Sequence, residues 1–231
     1  MIASTRKRSL LVLLLTLGVT GAGVRPAAAQ VDQADVQSRA GVRLDLNLPG
    51  KWEVDLDYQF RMVDDLSTYR GSYFTLETDY HLTKDVTAIG AYRRILTNEG
   101  DANRFAAGLE VETRLHKVKL AFRPLIQHRS AFVDDGDVGG DGDAFARTRL
   151  RAEYPVTKKL DVYGSVEPFF GFGADYPIDN WRNSAGLRYA FSKEVGLELH
   201  YIYRPDYGRA YNRYFHVVGA TLRFRAKVGG R

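Results

Sequence analysis

The chain has 231 residues, carries 33 basic and 28 acidic side chains, and contains no cysteine. Hydrophobic residues fill 45% of its positions, which excludes a disordered chain. The lack of cysteine excludes both a disulfide scaffold and thiolate metal sites. After residue 29, no apolar run approaches the roughly 18 residues that a membrane helix needs. A membrane β-barrel stays compatible with this composition, because its lipid-facing residues occupy only every second position.

The first 29 residues are predicted to be a cleaved secretory signal peptide. A basic start at Arg6–Arg8 leads into an apolar run over 10–19, and three alanines occupy positions 27–29. This order of charged, apolar and small residues is typical of export signals. The segment holds four basic residues and no acidic one, so most of the basic excess belongs to it. Residues 30–231, predicted to be a single outer-membrane barrel domain, therefore give no support for nucleic-acid binding.

After the predicted signal peptide, apolar and polar side chains alternate along the chain, most clearly from Trp52 to Met62. The apolar residues of this stretch fall on one face, whereas Glu53, Asp55 and Asp57 fall on the other. A period of two is typical of a β-strand and not of a helix. In chain order, the same pattern predicts strands over residues 40–48, 52–62, 76–82, 86–96, 109–115, 118–127, 147–154, 160–167, 184–191, 195–204 and 215–224.

Two features of this series stay open. In 86–96 the faces cannot be assigned, because Arg93 and Arg94 are adjacent and one of them breaks either arrangement. The stretches number eleven, whereas bacterial single-chain barrels have an even number of strands. We therefore expect about twelve strands, within a range of 10–12. Three alternatives would account for the odd count: residues 31–39 form a short additional strand, the N-terminal segment passes through the lumen, or 86–96 contains a further strand element.

The connections between the strands alternate between short and long. The short ones are 49–51, 83–85, 116–117, 155–159 and 192–194, and the long ones are 63–71, 97–103, 130–143, 171–180 and 205–213. Short turns at one end and long loops at the other are typical of outer-membrane barrels. Aromatic residues collect at both ends, as in membrane-interface belts: Tyr58, Phe60, Tyr73, Phe74, Phe169, Phe170, Trp181, Tyr201, Tyr203 and Tyr214 beside long loops, and Trp52, Tyr80, Tyr154, Tyr189, Phe191 and Phe224 beside short turns.

The predicted fold is all-β: an antiparallel up-and-down transmembrane β-barrel of the outer membrane. A soluble periplasmic β-sandwich is the rival, since it also alternates apolar and polar residues. A sandwich does not predict aromatic belts at both strand ends. A barrel also leaves no unpaired strand edge, as a bilayer requires.

Several short stretches carry a resemblance to a known family. They are Leu48–Trp52, Tyr58–Arg61, Gly90–Arg93, Arg147–Arg151, and Tyr163–Glu167 with Phe169. Their order resembles an uncharacterised bacterial outer-membrane barrel family, domain of unknown function 2490. The resemblance covers nearly the whole chain after residue 29, and it implies the barrel fold and the outer-membrane location. That family has no assigned activity, so the resemblance implies no chemistry.

Charged residues on the inward face are the strongest functional pattern. One predicted wall is acidic and includes Asp55, Glu77 and Asp79, whereas a later sector is rich in arginine. An arginine pointing into lipid costs about 2–4 kcal/mol near the midplane, so these groups must face water or a carboxylate. The residues predicted to line the lumen are Arg123, Arg147, Arg149, Arg151, Glu110, Glu112, Glu167, Arg188 and Glu198.

Two functions are compatible with this lumen. In the first, an arginine ladder facing an acidic wall orders charged solutes in a narrow or gated pore. In the second, ion pairs such as Glu112 with Arg123, or Arg149 with Glu167, close the lumen. The protein is then a closed structural barrel that acts through its outer loops. We expect no cofactor and no metal. The expected partners are outer-membrane lipid and lipopolysaccharide, the barrel-assembly machinery during insertion, and a small charged solute.

An enzyme is the less favoured alternative. His128 and Ser130 continue an outward strand face at its loop end, an arrangement that resembles the outer-membrane lipid A deacylases. An imidazole can take a hydroxyl proton when a carboxylate orients it, but Ala131 stands where those enzymes usually have Asn, and only loop aspartates lie nearby. The loop 130–143 is rich in Asp and Gly, but it lacks the spacing of a specific calcium loop. We therefore expect no enzymatic activity, and weak divalent-cation binding by the loop stays open.

Overall fold

A computed structural model of the chain describes residues 33–98, 100–129, 144–172, 178, 180–206 and 213–229. They form eleven strands: β1 (Gln33–Leu48), β2 (Trp52–Val63), β3 (Thr68–His81), β4 (Val86–Thr97), β5 (Gly100–Leu115), β6 (Val118–Arg129), β7 (Ala144–Pro155), β8 (Leu160–Gly171), β9 (Asn180–Ala190), β10 (Val195–Asp206) and β11 (Arg213–Lys227). Within these residues, no helix has the length and apolar character to cross a membrane.

The strands form one closed barrel in which each strand pairs with its neighbours in the sequence. Closure is made by β1 and β11, which run parallel in register from Gln33 opposite Arg213 to Asn47 opposite Lys227. An odd number of alternating strands places the first and last strands in the same direction, so the closing pair must be parallel. The predicted barrel is confirmed. The described residues form eleven strands, whereas the expectation of an even number had favoured twelve. Residues 33–39 extend β1 and do not form a separate strand.

The predicted alternation of faces is confirmed by exposure. Apolar side chains such as Leu56, Phe122 and Ile126 are exposed on the outside of the barrel, whereas the charged residues of the same strands point into the lumen. The structure also separates the two adjacent arginines of β4. Arg93 bonds the lumen-facing Thr75 (2.8 Å), and Arg94 lies outside with Asp101 (2.6 Å).

The connections define two ends of the barrel, which we name the turn side and the loop side. The turn side carries 49–51, 82–85, 116–117, 156–159 and 191–194, and the loop side joins the other strand ends. Two connections predicted to be long are short, because β2 and β3 are joined by 64–67 alone and β4 and β5 by 98–99. In the first, Asp64 to Leu66 adopt positive φ angles of 52–66°, which closes the turn tightly. The predicted loop 130–143 lies outside the described residues.

Three turn-side connections share one sequence pattern, which the alternation analysis missed. Tyr80–Val86, Tyr154–Leu160 and Tyr189–Val195 each read Tyr, any residue, apolar, Ser or Thr, Lys, any residue, apolar. In each, the hydroxyl oxygen accepts hydrogen bonds from the two backbone N–H groups that lie two and three residues later, at 3.0–3.2 Å. These are hydroxyl-capped turns, and they fix the backbone of each lysine at the rim.

The aromatic belts are present with one revision. On the turn side Trp52 packs on Tyr80, with ring centroids 4.7 Å apart, and on the loop side Tyr203 stacks on Tyr214. Tyr73 and Phe169, predicted to belong to the loop-side belt, are instead fully buried. Their positions in β3 and β8 point them into the lumen, because their outward neighbours Phe74 and Phe170 occupy the other face.

Candidate functional site: the charged lumen

A layer of buried side chains fills the lumen near the loop side. Every strand contributes one or more lumen-facing residues to it, and each residue is at most 8% exposed. We name it the loop-side layer, represented from β1 to β11 by Gln37, Arg61, Tyr73, Ile95, Arg104, Gln127, Phe145, Phe169, Asn180, Arg204 and Phe215. The turn-side half of the lumen is less tightly filled, so the interior is asymmetric along the barrel axis.

Arginines stack on aromatic rings within this layer. The Arg61 guanidinium carbon lies 3.6 Å from the Tyr73 ring centroid, and that of Arg204 lies 3.9 Å from the Phe215 ring. Arg182 lies 4.3 Å from the ring of Phe169. Such cation–π contacts contribute about 0.5–2 kcal/mol each, more when desolvated. These contacts allow charged arginine side chains to pack within the buried loop-side layer.

The three arginines of β7 form a ladder in which each rung has a carboxylate. Arg147 lies 3.8 Å from Glu167, and Arg149 lies 3.4 Å from Glu110. Arg151 lies 3.4 Å from Glu153 on its own strand. The proposed pairing of Arg149 with Glu167 is therefore wrong. Glu167 sits opposite Arg182 of β9 and reaches Arg147, whereas the long Arg149 side chain passes over β6 to β5.

The pairing of Glu112 with Arg123 is also wrong, since both residues find other partners. Glu112 binds Lys119 at 2.5 Å, its neighbour near the turn. Arg123 of β6 instead reaches Glu77 of β3 at 2.6 Å, and its other terminal nitrogen lies 4.0 Å from Glu110. β6 and β3 are not adjacent strands, so this pair bridges the lumen. The arginine sector and the acidic wall are thus in direct contact.

The acidic wall contains a cluster of three carboxylates. Asp55, Glu77 and Asp79 each place an oxygen within 4.8 Å of the others, and they are the one group with metal-binding spacing among the described residues. Two guanidinium groups already neutralise much of this charge, because Arg43 contacts Asp55 and Arg123 contacts Glu77. The cluster therefore acts as part of an ion-pair network.

A second network joins β7 to β11 in the turn-side half. The Tyr163 hydroxyl donates to Glu198 at 2.5 Å, and its ring lies under the Arg151 guanidinium at 3.8 Å. The ring fits there because residue 186 is glycine: a Cβ at Gly186 would lie 2.6 Å from it. Arg188 contacts Glu153, which also lies beside Arg151.

Several lumen residues were missed by the sequence interpretation. Arg223 of β11 binds Asp45 at 2.7 Å and Glu198 at 3.3 Å, and Arg43 binds Asp45 at 2.7 Å. In the last strand, apolar and polar residues do not alternate regularly in the sequence, so Arg223 was not assigned to the lumen. Arg43 and Asp45 did alternate with leucines, so their inward face was available as a signal, although their pairing across the β1–β11 closure was not.

The proposed hydrolase pair is described only in part. His128 is exposed on the outer face at the loop end of β6, opposite Phe105. Ser130 and the aspartates of 130–143 lie outside the described residues. The arrangement of His128 with Ser130 and a carboxylate therefore stays a prediction.

Comparison with known proteins gives a family and a distant structural likeness. A sequence profile described as "Protein of unknown function (DUF2490)" matches residues 40–215. Among solved structures, the NanC porin in a rhombohedral crystal form matches with a TM-score of 0.48 and 11% identity, over 73% of this chain and 86% of the porin chain. A likeness of that strength carries no argument about function. No curated protein matches the chain.

Proposed function

This chain belongs to the DUF2490 family of proteins of unknown function, and we propose that it is a narrow, gated pore of the outer membrane for small charged solutes. The observation that supports this function is the lumen itself. Charged side chains from many strands face inward and form several neighbouring groups of ion pairs. Rows of charged groups in a confined passage select and order charged solutes.

Water access to the ladder supports a path through the turn-side half. The side chains of Arg149 and Arg151 keep 27% and 20% of their surface exposed although they point into the barrel. Their carboxylate partners lie 3.4 Å away, longer than a tight charge-assisted hydrogen bond. An entering anion can therefore compete for these guanidinium groups.

The loop-side layer is the proposed gate. Its arginine–aromatic stacks each contribute about 0.5–2 kcal/mol, so separating one of them is compatible with thermal motion. The layer also contains the Gln127 amide, whose oxygen and nitrogen have no hydrogen-bond partner within the described part of the chain. An unpartnered buried amide costs about 1–3 kcal/mol, which lowers the barrier to rearrangement of the closed layer.

Planar-bilayer recording of the purified protein tests this function. We expect small, infrequent steps with a preference for anions, and we expect Arg149→Glu to abolish or reverse that preference. Arg94→Glu is the charge-matched control, since Arg94 lies on the outer face with Asp101 and should leave selectivity unchanged. A second variant, Arg182→Ala, removes a stack from the gate and should raise the open probability.

A closed structural barrel is the second candidate, and one observation favours it. The Arg123–Glu77 pair bridges non-adjacent strands at 2.6 Å within an interior that all strands help to fill. Under this alternative, the wild type and Arg182→Ala are both silent in bilayers, and Arg149→Glu lowers stability because it places a carboxylate beside Glu110. The protein would then act through its outer loops. That combination of results would replace the pore by the closed barrel.

A further inference from the structure

A cationic pocket lies at the turn-side rim, away from the loop-side layer. Its volume is about 130 Å³, and it lies between the β7–β8 and β9–β10 turns and the ends of β8 to β11. Six of its lining residues are cationic and one is acidic. The cations are Lys158, Lys159, Arg188, Lys193, Arg223 and Arg225.

The arginines and lysines of this pocket differ in their partners. Arg188 and Arg223 point into the lumen and bind carboxylates there, so they anchor the floor of the pocket. Lys158, Lys159 and Lys193 lie on the turns, and no carboxylate of the described residues lies within ion-pair distance of them. Asp161 is the single acidic lining residue. The pocket therefore has an excess of positive charge that the chain itself does not neutralise.

The two turns hold these lysines in defined positions. Both belong to the hydroxyl-capped pattern, with Thr157 and Ser192 as the capping residues. Backbone hydrogen bonds also attach each turn to the adjoining strand, from the Ala190 N–H to the Lys159 carbonyl at 2.8 Å and from the Arg225 N–H to the Glu194 carbonyl at 2.7 Å. The backbone positions of the lysines are thus set before any ligand arrives, so only their side chains need to be ordered on binding.

The size and charge of the pocket specify the class of ligand. A cavity of about 150 Å³ accommodates a benzene-sized molecule, so this pocket holds one compact group of a few heavy atoms. Several lysines and arginines lining one small pocket suit an anion with more than one charged oxygen. A phosphate group meets both requirements, whereas a nucleic acid or an acidic helix is too large to enter.

We propose that this turn-side pocket is a binding site for an anionic phosphate group, carried either by a free phosphorylated solute or by a lipid head group. The free group would sit at the mouth of the lumen, over Arg188 and Arg223. The head group would reach the same lysines from the surrounding membrane. Binding requires no opening of the loop-side layer, so it can be measured whether or not the lumen conducts.

Calorimetric titration of the full chain with pyrophosphate tests the site, first in an uncharged detergent. We expect saturable one-to-one binding that weakens as salt is raised. Lys158→Gln combined with Lys193→Gln should weaken it by roughly tenfold, the order expected for two surface charge contacts. Lys84→Gln is the matched control, because Lys84 occupies the same turn pattern between β3 and β4 but does not line the pocket.

A second arm separates the two sources of phosphate. The wild type is titrated in nanodiscs of phosphatidylcholine alone and of phosphatidylcholine with phosphatidylglycerol. Weaker pyrophosphate binding with the anionic lipid, in the wild type and not in the double variant, assigns the pocket to head groups. Equal binding in both discs assigns it to a free solute. Absence of saturable binding, or an equal loss in Lys84→Gln, overturns the site.

Discussion

Replacement of Arg123 by glutamine should destabilise the barrel more than any surface charge change. Arg123 is the link between the arginine sector and the acidic wall, where its terminal nitrogen lies 2.6 Å from Glu77. Without it, Glu77 keeps two carboxylates, Asp55 and Asp79, within 4.8 Å. Arg43 would remain as the nearest cation of that cluster.

The expected loss follows from the burial of the pair. The side chains of Arg123 and Glu77 are 11% and 16% exposed, so water screens their interaction little. Removing one partner of such a buried pair costs about 3–5 kcal/mol, equivalent to roughly two to more than three orders of magnitude in the unfolding equilibrium. Arg94 and Asp101 have the same 2.6 Å separation but are 37% and 49% exposed. An exposed pair of that kind contributes about 0–1 kcal/mol.

Urea unfolding in lipid vesicles, followed by the fluorescence of Trp52 and Trp181, measures both variants. Arg123→Gln should lose several times more stability than Arg94→Gln. Adding Glu77→Gln to Arg123→Gln should restore most of the loss, since it removes the orphaned carboxylate, and the double-mutant cycle isolates the pair. The deficit of Arg123→Gln should also shrink as the pH falls, because protonation relieves the repulsion between the carboxylates.

Two outcomes would refute this reasoning. Equal losses in Arg123→Gln and Arg94→Gln would mean that the lumen is as well hydrated as the outer rim. A double variant no more stable than Arg123→Gln alone would mean that the loss reflects packing and not an uncompensated charge.

Three further predictions concern packing, location and chemistry. Gly186→Ala should cost about 1–3 kcal/mol, as overpacking does, because its methyl group would meet the Tyr163 ring and a backbone oxygen at 2.6–2.7 Å; Gly164→Ala, with 3.8 Å of room, is the control in the same unfolding assay. The chain should fractionate with outer membranes and migrate heat-modifiably in detergent gels, and recovery as a soluble periplasmic monomer would contradict the proposed location. Purified protein should release no acyl chains from lipid A; release that Ser130→Ala abolishes would instead make His128 and Ser130 a hydrolase site.

Much of the architecture follows from short-range patterns. Alternation with a period of two assigns each side chain to the lumen or to the outside, because neighbouring residues of a strand point in opposite directions. That rule placed Leu56 and Phe122 outside and Arg149 and Glu110 inside, as the structure has them. It was undecided at Arg93 and Arg94, where the strand reaches the rim and an outward arginine can pair with Asp101. It also missed the recurring Tyr-to-Lys turns, which a search for repeats would have found.

Which charges meet inside the lumen was decided by the tertiary structure alone. The sequence contains every residue of the network, but the partners depend on strand register, barrel closure and the reach of long side chains across the interior. Hence Arg149 binds Glu110 over an intervening strand, and Arg123 crosses to Glu77. The parallel β1–β11 closure brings Asp45 to Arg223, at a separation in sequence that no local pattern encodes. The faces of the strands are local properties of the backbone, whereas the ion pairs and the loop-side layer exist only once the sheet closes on itself.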